Sequence, residues 1–177
     1  SIRKITKQID YSPGIVYRYF RNKEEIIEAL VTEGYERILA AITTVPRNEG
    51  QPEAEIKAVF TKYIRAALAA PEEYKAFLLN ERPSILVKTS LLDRGIMERS
   101  RTLQALGEAI QRGVETGRFA PCDPELTAQV IWTSVFGLIL KIIIEGNIPP
   151  EQIDRLIEQN FKLLFSGLMA REGQQEQ

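Results

Sequence analysis

The chain contains no histidine and a single cysteine, Cys122. The side chain most used as general base and metal ligand is therefore missing. A zinc site lacks its ligands, and a nucleophile–histidine pair of the hydrolase kind cannot be assembled. Carboxylates and Lys141 remain for acid–base work, but no motif gathers them and no phosphate loop or cofactor motif is present, so no metal and no cofactor are expected. Chemistry of another kind concentrates near the amino terminus. Ser1 and Ser12 offer hydroxyls and helix-start amides to phosphate oxygens. Tyr17 and Tyr19 can donate phenolic hydrogen bonds to phosphate, and Arg3 and Lys23 supply charge there. Gly14 has no Cβ and permits close approach to a groove. Ile15 can lie against a thymine methyl, and Arg18 can reach guanine O6/N7 or a phosphate. The plainer reading is a small aromatic core of Tyr17, Tyr19 and Phe20, and Phe20 fits it best.

Charge follows the same asymmetry. Net charge is −1 over 177 residues. Yet Arg3, Lys4, Lys7, Arg18, Arg21 and Lys23 face only Asp10 among residues 1–23. A basic, anion-seeking end thus sits on an acidic body. With 44% hydrophobic and 27% charged residues, the body can build a sizeable core.

The elements that must position these groups read as helices throughout. Ile2, Ile5 and Ile9 share one face of a first helix. Asp10-Tyr11 breaks it, at a turn whose left-handed backbone aspartate tolerates. Ser12 then caps a short second helix with Pro13 at its first position and Val16 and Phe20 facing inward. Asn22 followed by Glu25 resembles a capping box opening a long helix that stops near Val45-Pro46. Further helices begin at Pro52 and Pro71, with an interruption at Pro83. Another is expected to run unbroken from Ile96 through Leu103 to Val114, with Gly117 as its left-handed stop. Asp123-Pro124-Glu125 starts a helix that is apolar on most of its circumference up to Gly146, and a last helix spans Pro150–Leu168. Lys141 lies well inside the apolar run 126–144 and would cost roughly 2.5–3.5 kcal/mol in a bilayer, so a buried helix rather than a membrane span is expected.

A helix, a tight break and a short second helix match helix-turn-helix grammar. Arg3, Ile5, Ser12, Gly14, Tyr17, Tyr19, Phe20, Lys23 and Glu24-Glu25 closely resemble the DNA-binding signature of the TetR/AcrR family. The departures are Asp10 where the family has glycine, and Thr6 and Ile9 where it favours alanine. A supporting helix that precedes these two in the family is absent from the 177 residues, which reads as an amino-terminal truncation. The resemblance makes Tyr17 and Lys23 phosphate contacts and places Tyr11 and Pro13 beside the DNA backbone.

The resemblance also implies a helical body with two tasks. One is homodimerisation through the helices at 123–146 and 150–168. Both are broadly apolar, so a twofold mate forming a four-helix bundle would cover them; a buried helix in a monomer is the alternative. The other task is to hold a small, largely apolar effector. Phe60, Tyr63, Phe77, Trp132 and Phe136 can line its cavity, with polar contacts from Asn80, Glu81 and Arg82, although aromatics at helical spacing also make plain core. The fold class is therefore all-α. A helix-turn-helix region with its connecting helix occupies residues 1–45, an effector-binding and dimerisation domain 46–170, and a flexible tail 171–177.

The function these features favour is a cytoplasmic transcriptional regulator, not an enzyme. It would be a repressor released from a double-stranded operator by its ligand. A helical interaction module that no longer contacts DNA is the second reading, and the basic amino-terminal end counts against it. An enzyme using carboxylates or Lys141 is the third, and the missing histidines count against that.

Overall fold

The computed structural model describes residues 13–170, so the first helix expected over residues 1–9, the turn at Asp10 and the tail 171–177 lie outside the described residues. Eight α-helices follow one another among the described residues. They are α1 (Pro13–Tyr19), α2 (Lys23–Ala40), α3 (Pro52–Ala69), α4 (Pro71–Leu78), α5 (Pro83–Thr89), α6 (Arg101–Glu115), α7 (Pro124–Glu145) and α8 (Pro150–Leu168). Six of them carry proline in the first turn, where its missing N–H costs no hydrogen bond. No strand occurs among these residues beyond one isolated bridge, Phe119 to Met169.

Local caps set several boundaries. Asn22 Oδ1 accepts from Glu25 N at 2.8 Å and opens α2. Asp123 Oδ1 accepts from Leu126 N at 3.0 Å and opens α7. Gly117 stops the chain after α6 in the left-handed conformation, with φ of 71°.

Two boundaries differ from expectation. The long connecting helix ends at Ala40 and tightens into a 3₁₀ turn, Ala41–Thr44. The helix expected from Ile96 to Val114 is two pieces, a 3₁₀ turn Ile96–Glu98 and α6. Gly95 enters with φ of 76°, and Ser100 becomes the N-cap of α6 by accepting from Leu103 N. A hydroxyl that satisfies an otherwise orphaned N–H at this point starts the helix anew.

Packing centres on α3, which touches α2, α4, α6, α7 and α8. Its inward stripe of Ile56, Phe60, Tyr63, Ile64 and Ala67 is buried throughout. Side chains from α4, α6, α7 and α8 complete one continuous core around it. Opposite ends of that core are tied together by the short bridge. Ala120 N donates to Leu168 O at 2.9 Å and Ala170 N to Arg118 O at 3.0 Å, pinning the end of α8 to the turn after α6.

Candidate nucleic-acid interface and ligand cavity

The short helix α1 presents almost all its side chains outward. Gly14 and Arg18 are exposed, as are Ile15, Tyr17 and Tyr19, the last at 78%. Only Val16 and Phe20 are half-buried, the inward pair read from their spacing. Lys23 is exposed on the first turn of α2. Neither Arg18 nor Lys23 forms an ion pair among the described residues, whereas Arg21 sits 4.0 Å from Glu25. The exposed face of α1 therefore carries two phenols, an isoleucine and free positive charge, a set suited to phosphate oxygens and base edges rather than to a core. Pro13 opens α1 as expected, while Ser1, Arg3, Tyr11 and Ser12 lie outside the described residues.

α2 runs from the end of α1 into the body and is gripped by α4. The rings of Tyr35 and Phe77 stack with centroids 3.6 Å apart and planes 7° from parallel. Arg37 Nη2 donates to Glu73 Oε2 at 3.0 Å. Gly34 is buried there, and a Cβ on it would come within 2.7 Å of the same carboxylate oxygen, so glycine lets the helices close up. Arg82 Nη1, between α4 and α5, donates at 2.6 Å to the main-chain oxygen of Glu24, in the first turn of α2 beside the segment that joins α1.

Two cavities open beside this junction. The first, of about 280 Å³, lies among the turn 41–45, α3 and α6, and Phe60, Val59, Leu106 and Trp132 wall it. The second, of about 330 Å³, lies between α2 and α5; Tyr35, Leu39, Phe77, Leu91 and again Trp132 wall it. Thr102 and Trp132 line both. Of the aromatic residues singled out in the sequence, Phe60, Phe77 and Trp132 line these spaces, while Tyr63 and Phe136 line neither. Tyr63 is turned instead toward α4, where its hydroxyl meets that of Tyr74 at 3.1 Å. Burial pushes the phenols of Tyr35, Tyr63 and Tyr74 above their ordinary range, so this cluster stays uncharged. Asn80, Glu81 and Arg82 line neither cavity; Asn80 Oδ1 accepts from Arg82 N at 3.1 Å, ordering the loop that aims Arg82 at α2. The polar lining comes from residues that periodicity did not single out: Arg99, Ser100, Arg101 and Thr102 at the start of α6, Lys88 on α5, Thr32 and Glu36 on α2, Thr43 in the turn after it and Glu55 on α3. Their one local signal is Ser100, three residues before Leu103, a cap that a continuous helix would have wasted.

The far side of the body is apolar and open. Leu126, Val130 and Ile144 on α7 are 59%, 55% and 65% exposed, and Leu163 on α8 is 63% exposed. Gly137 is exposed on α7 with no neighbour within 4 Å of the position a Cβ would take.

Comparison with known proteins agrees with this arrangement. Residues 1–30 match the family model for bacterial regulatory proteins of the tetR family. The HTH-type transcriptional regulator YhgD of Bacillus subtilis (strain 168), itself uncharacterised, is 26% identical over 143 residues, covering 76% of this chain and 69% of that protein. Among solved structures, the TetR family transcriptional regulator PfmR from Thermus thermophilus shares the fold with a TM-score of 0.68 at 20% identity, covering 94% of this chain and 88% of that one. A candidate fatty acid metabolism regulator from Clostridium perfringens has a TM-score of 0.70 at 16% identity, covering 97% and 90%. Exposed basic and phenolic groups on a short helix, an all-helical body and these similarities converge: residues 1–30 match the amino-terminal segment of the tetR family of bacterial regulatory proteins, and the described residues share the all-helical fold of solved TetR-family structures.

Proposed function

We propose that this regulator is a repressor, released from its operator when a small, largely apolar ligand enters the cavities beside α2. The observation that carries the reading is the wall of the second cavity. Thr32, Tyr35, Glu36 and Leu39 belong to α2 itself, the helix that continues directly from the DNA-reading segment. An occupant of that cavity touches the lever without touching DNA. Two recognition helices of a dimer must sit about 34–36 Å apart, or a multiple of it, to meet successive major grooves. A small tilt of each α2 alters that spacing. A coupling of roughly 1–3 kcal/mol changes operator affinity about 5- to 150-fold, provided the ligand binds the two arrangements unequally.

The same reading assigns DNA contact to Ser1, Arg3, Tyr11, Ser12, Pro13, Gly14, Ile15, Tyr17, Arg18, Tyr19 and Lys23, and effector contact to Phe60, Phe77 and Trp132. It divides the chain near the turn at 41–45. It pairs two copies through α7 and α8, because the exposed row Leu126, Val130, Gly137 and Ile144 recurs at helical spacing and a twofold mate would cover it. Measuring operator affinity with and without ligand, and ligand affinity with and without operator, tests the coupling. Linkage requires reciprocal effects of equal size. A ligand that fills the cavities and leaves operator affinity unchanged defeats the proposal.

A further inference from the structure

The two cavities carry more chemical information than their apolar walls. They share Thr102 and Trp132 as lining residues, and residues 99–102 run along that shared wall, the seam: Arg99, Ser100 and Thr102 line the second cavity, Arg101 and Thr102 the first. Lys88 stands across from them on α5. Five charged residues therefore reach the lining, and their pairing decides what the site prefers. Glu55 is neutralised by Arg112 at 2.6 Å, with both side chains less than 15% exposed. Arg99 shares its charge with Asp93 at 3.5 Å, in a pair more than half exposed and so heavily screened. Arg101 and Lys88 make no ion pair among the described residues, and Glu36 alone opposes them. The balance at the seam is positive, with two hydroxyls beside it. Deep walls on either side are aliphatic and aromatic, and each volume alone is at the small end of ligand pockets, which run to roughly 300–1,000 Å³; joined, they reach mid-range.

We infer that the joined cavities take an amphiphile with one anionic head and one long apolar tail. The head sits at residues 99–102 beside Lys88, and the tail lies along Trp132 between α3 and α6. This rests on the ligand-gating reading above and specifies its ligand class. A carboxylate and a phosphate head share the required chemistry. A neutral alcohol of equal length would offer the guanidinium groups only an uncharged acceptor, without charge assistance, and a cationic head would face like charge.

Trp132 is the only tryptophan in the chain and lines both cavities, so its fluorescence reports occupancy without other labels. Dodecanoate below its micelle concentration should shift that emission saturably. Dodecan-1-ol should bind at least tenfold more weakly and dodecyltrimethylammonium more weakly still. Arg101→Gln and Lys88→Gln alter exposed side chains, so circular dichroism should be unchanged. Each should weaken dodecanoate about tenfold, the worth of a charge-assisted hydrogen bond, and leave the alcohol unaffected. Dodecyl phosphate against dodecanoate shows which head is preferred. Absence of a saturable response to both anions, equal affinity for acid and alcohol, tighter binding of the cation, or unchanged affinity in both variants would each overturn the inference. Operator release measured in parallel separates the two ideas. Tight dodecanoate binding without release defeats gating and supports this ligand class, whereas release by the alcohol and not the acid defeats this ligand class and leaves gating intact.

Discussion

Two glycines on α6 should respond to the same substitution with opposite signs. Replacing glycine by alanine inside a helix stabilises by about 0.4–1 kcal/mol when the new methyl finds room. At Gly113 it does not: a Cβ would overlap Cδ2 and Cε2 of Phe119 and stand 2.7 Å from its Cγ. That ring is 1% exposed and has nowhere to rotate. Its backbone is also held, because Phe119 N donates to Gly113 O at 2.9 Å and its neighbours hold residues 168 and 170 of the chain end. Moving the ring therefore strains the tie between α6 and α8. Overpacking of this kind costs about 1–3 kcal/mol. With the upper part of that range set against the helix gain, Gly113→Ala should lose about 2 kcal/mol, or about 4–8 °C in Tm for a domain this size. At Gly107 the intruding methyl meets the free end of Met97, with Sδ at 2.6 Å and Cγ already at 3.7 Å. A flexible, half-buried thioether can swing aside, so Gly107→Ala should be neutral or stabilise by up to about 1 kcal/mol. Thermal and urea unfolding at one protein concentration measure both, since association shifts apparent stability. Phe119→Leu placed in the Gly113→Ala background should relieve the clash, giving a coupling of about 0.5–3 kcal/mol. Equal stability of Gly113→Ala and the parent chain, or strict additivity with Phe119→Leu, would refute the packing argument.

Three further outcomes are expected. Tyr35, Tyr63 and Tyr74 hold their protons above the ordinary phenol range because they are buried, whereas in the unfolded chain they ionise near pH 10. The folded state then binds more protons than the unfolded state, so this contribution to stability is constant below about pH 10 and falls as pH rises beyond it; urea midpoints between about pH 8 and 11.5 should show the decline, and Tyr63→Phe should reduce its slope. If two copies pair through α7 and α8 as proposed, the parent chain should sediment as a dimer and Gly137→Glu as a monomer with its helical spectrum intact, because nothing lies within 4 Å of the new Cβ in the single chain; a dimer that survives this charge would place the interface elsewhere. In operator-binding assays, Tyr17→Phe should weaken all sequences alike and Arg18→Ala should also relax base preference, with affinity falling steeply as salt rises; salt-insensitive binding would exclude phosphate contact by these groups.

Much of this molecule is written locally, and local features can be read without neighbours. Asn22 with Glu25, Asp123 with Pro124, and Gly117 satisfy or stop a helix through groups within three or four residues, so their meaning survives in the bare sequence. The basic end and the inward pair Val16 and Phe20 are equally local. The break at Ser100 is only half so. The apolar residues on either side keep helical spacing, and Gly95 in a left-handed conformation is what lets the chain start again in a new direction. The cavities are not local at all. Periodicity on α3 puts Phe60 and Tyr63 on one buried stripe and cannot say which neighbour each will meet. Only the approach of α6 and α7 gives Phe60 a cavity to line, and only the approach of α4 turns Tyr63 to Tyr74. Arg99, Arg101 and Lys88 look like ordinary surface charge until α5 and α6 are brought to the two sides of Trp132. A stripe of apolar residues determines which face of a helix is covered; which side chains share a space depends on contacts between residues far apart in the chain, and those exist only once the helices have packed.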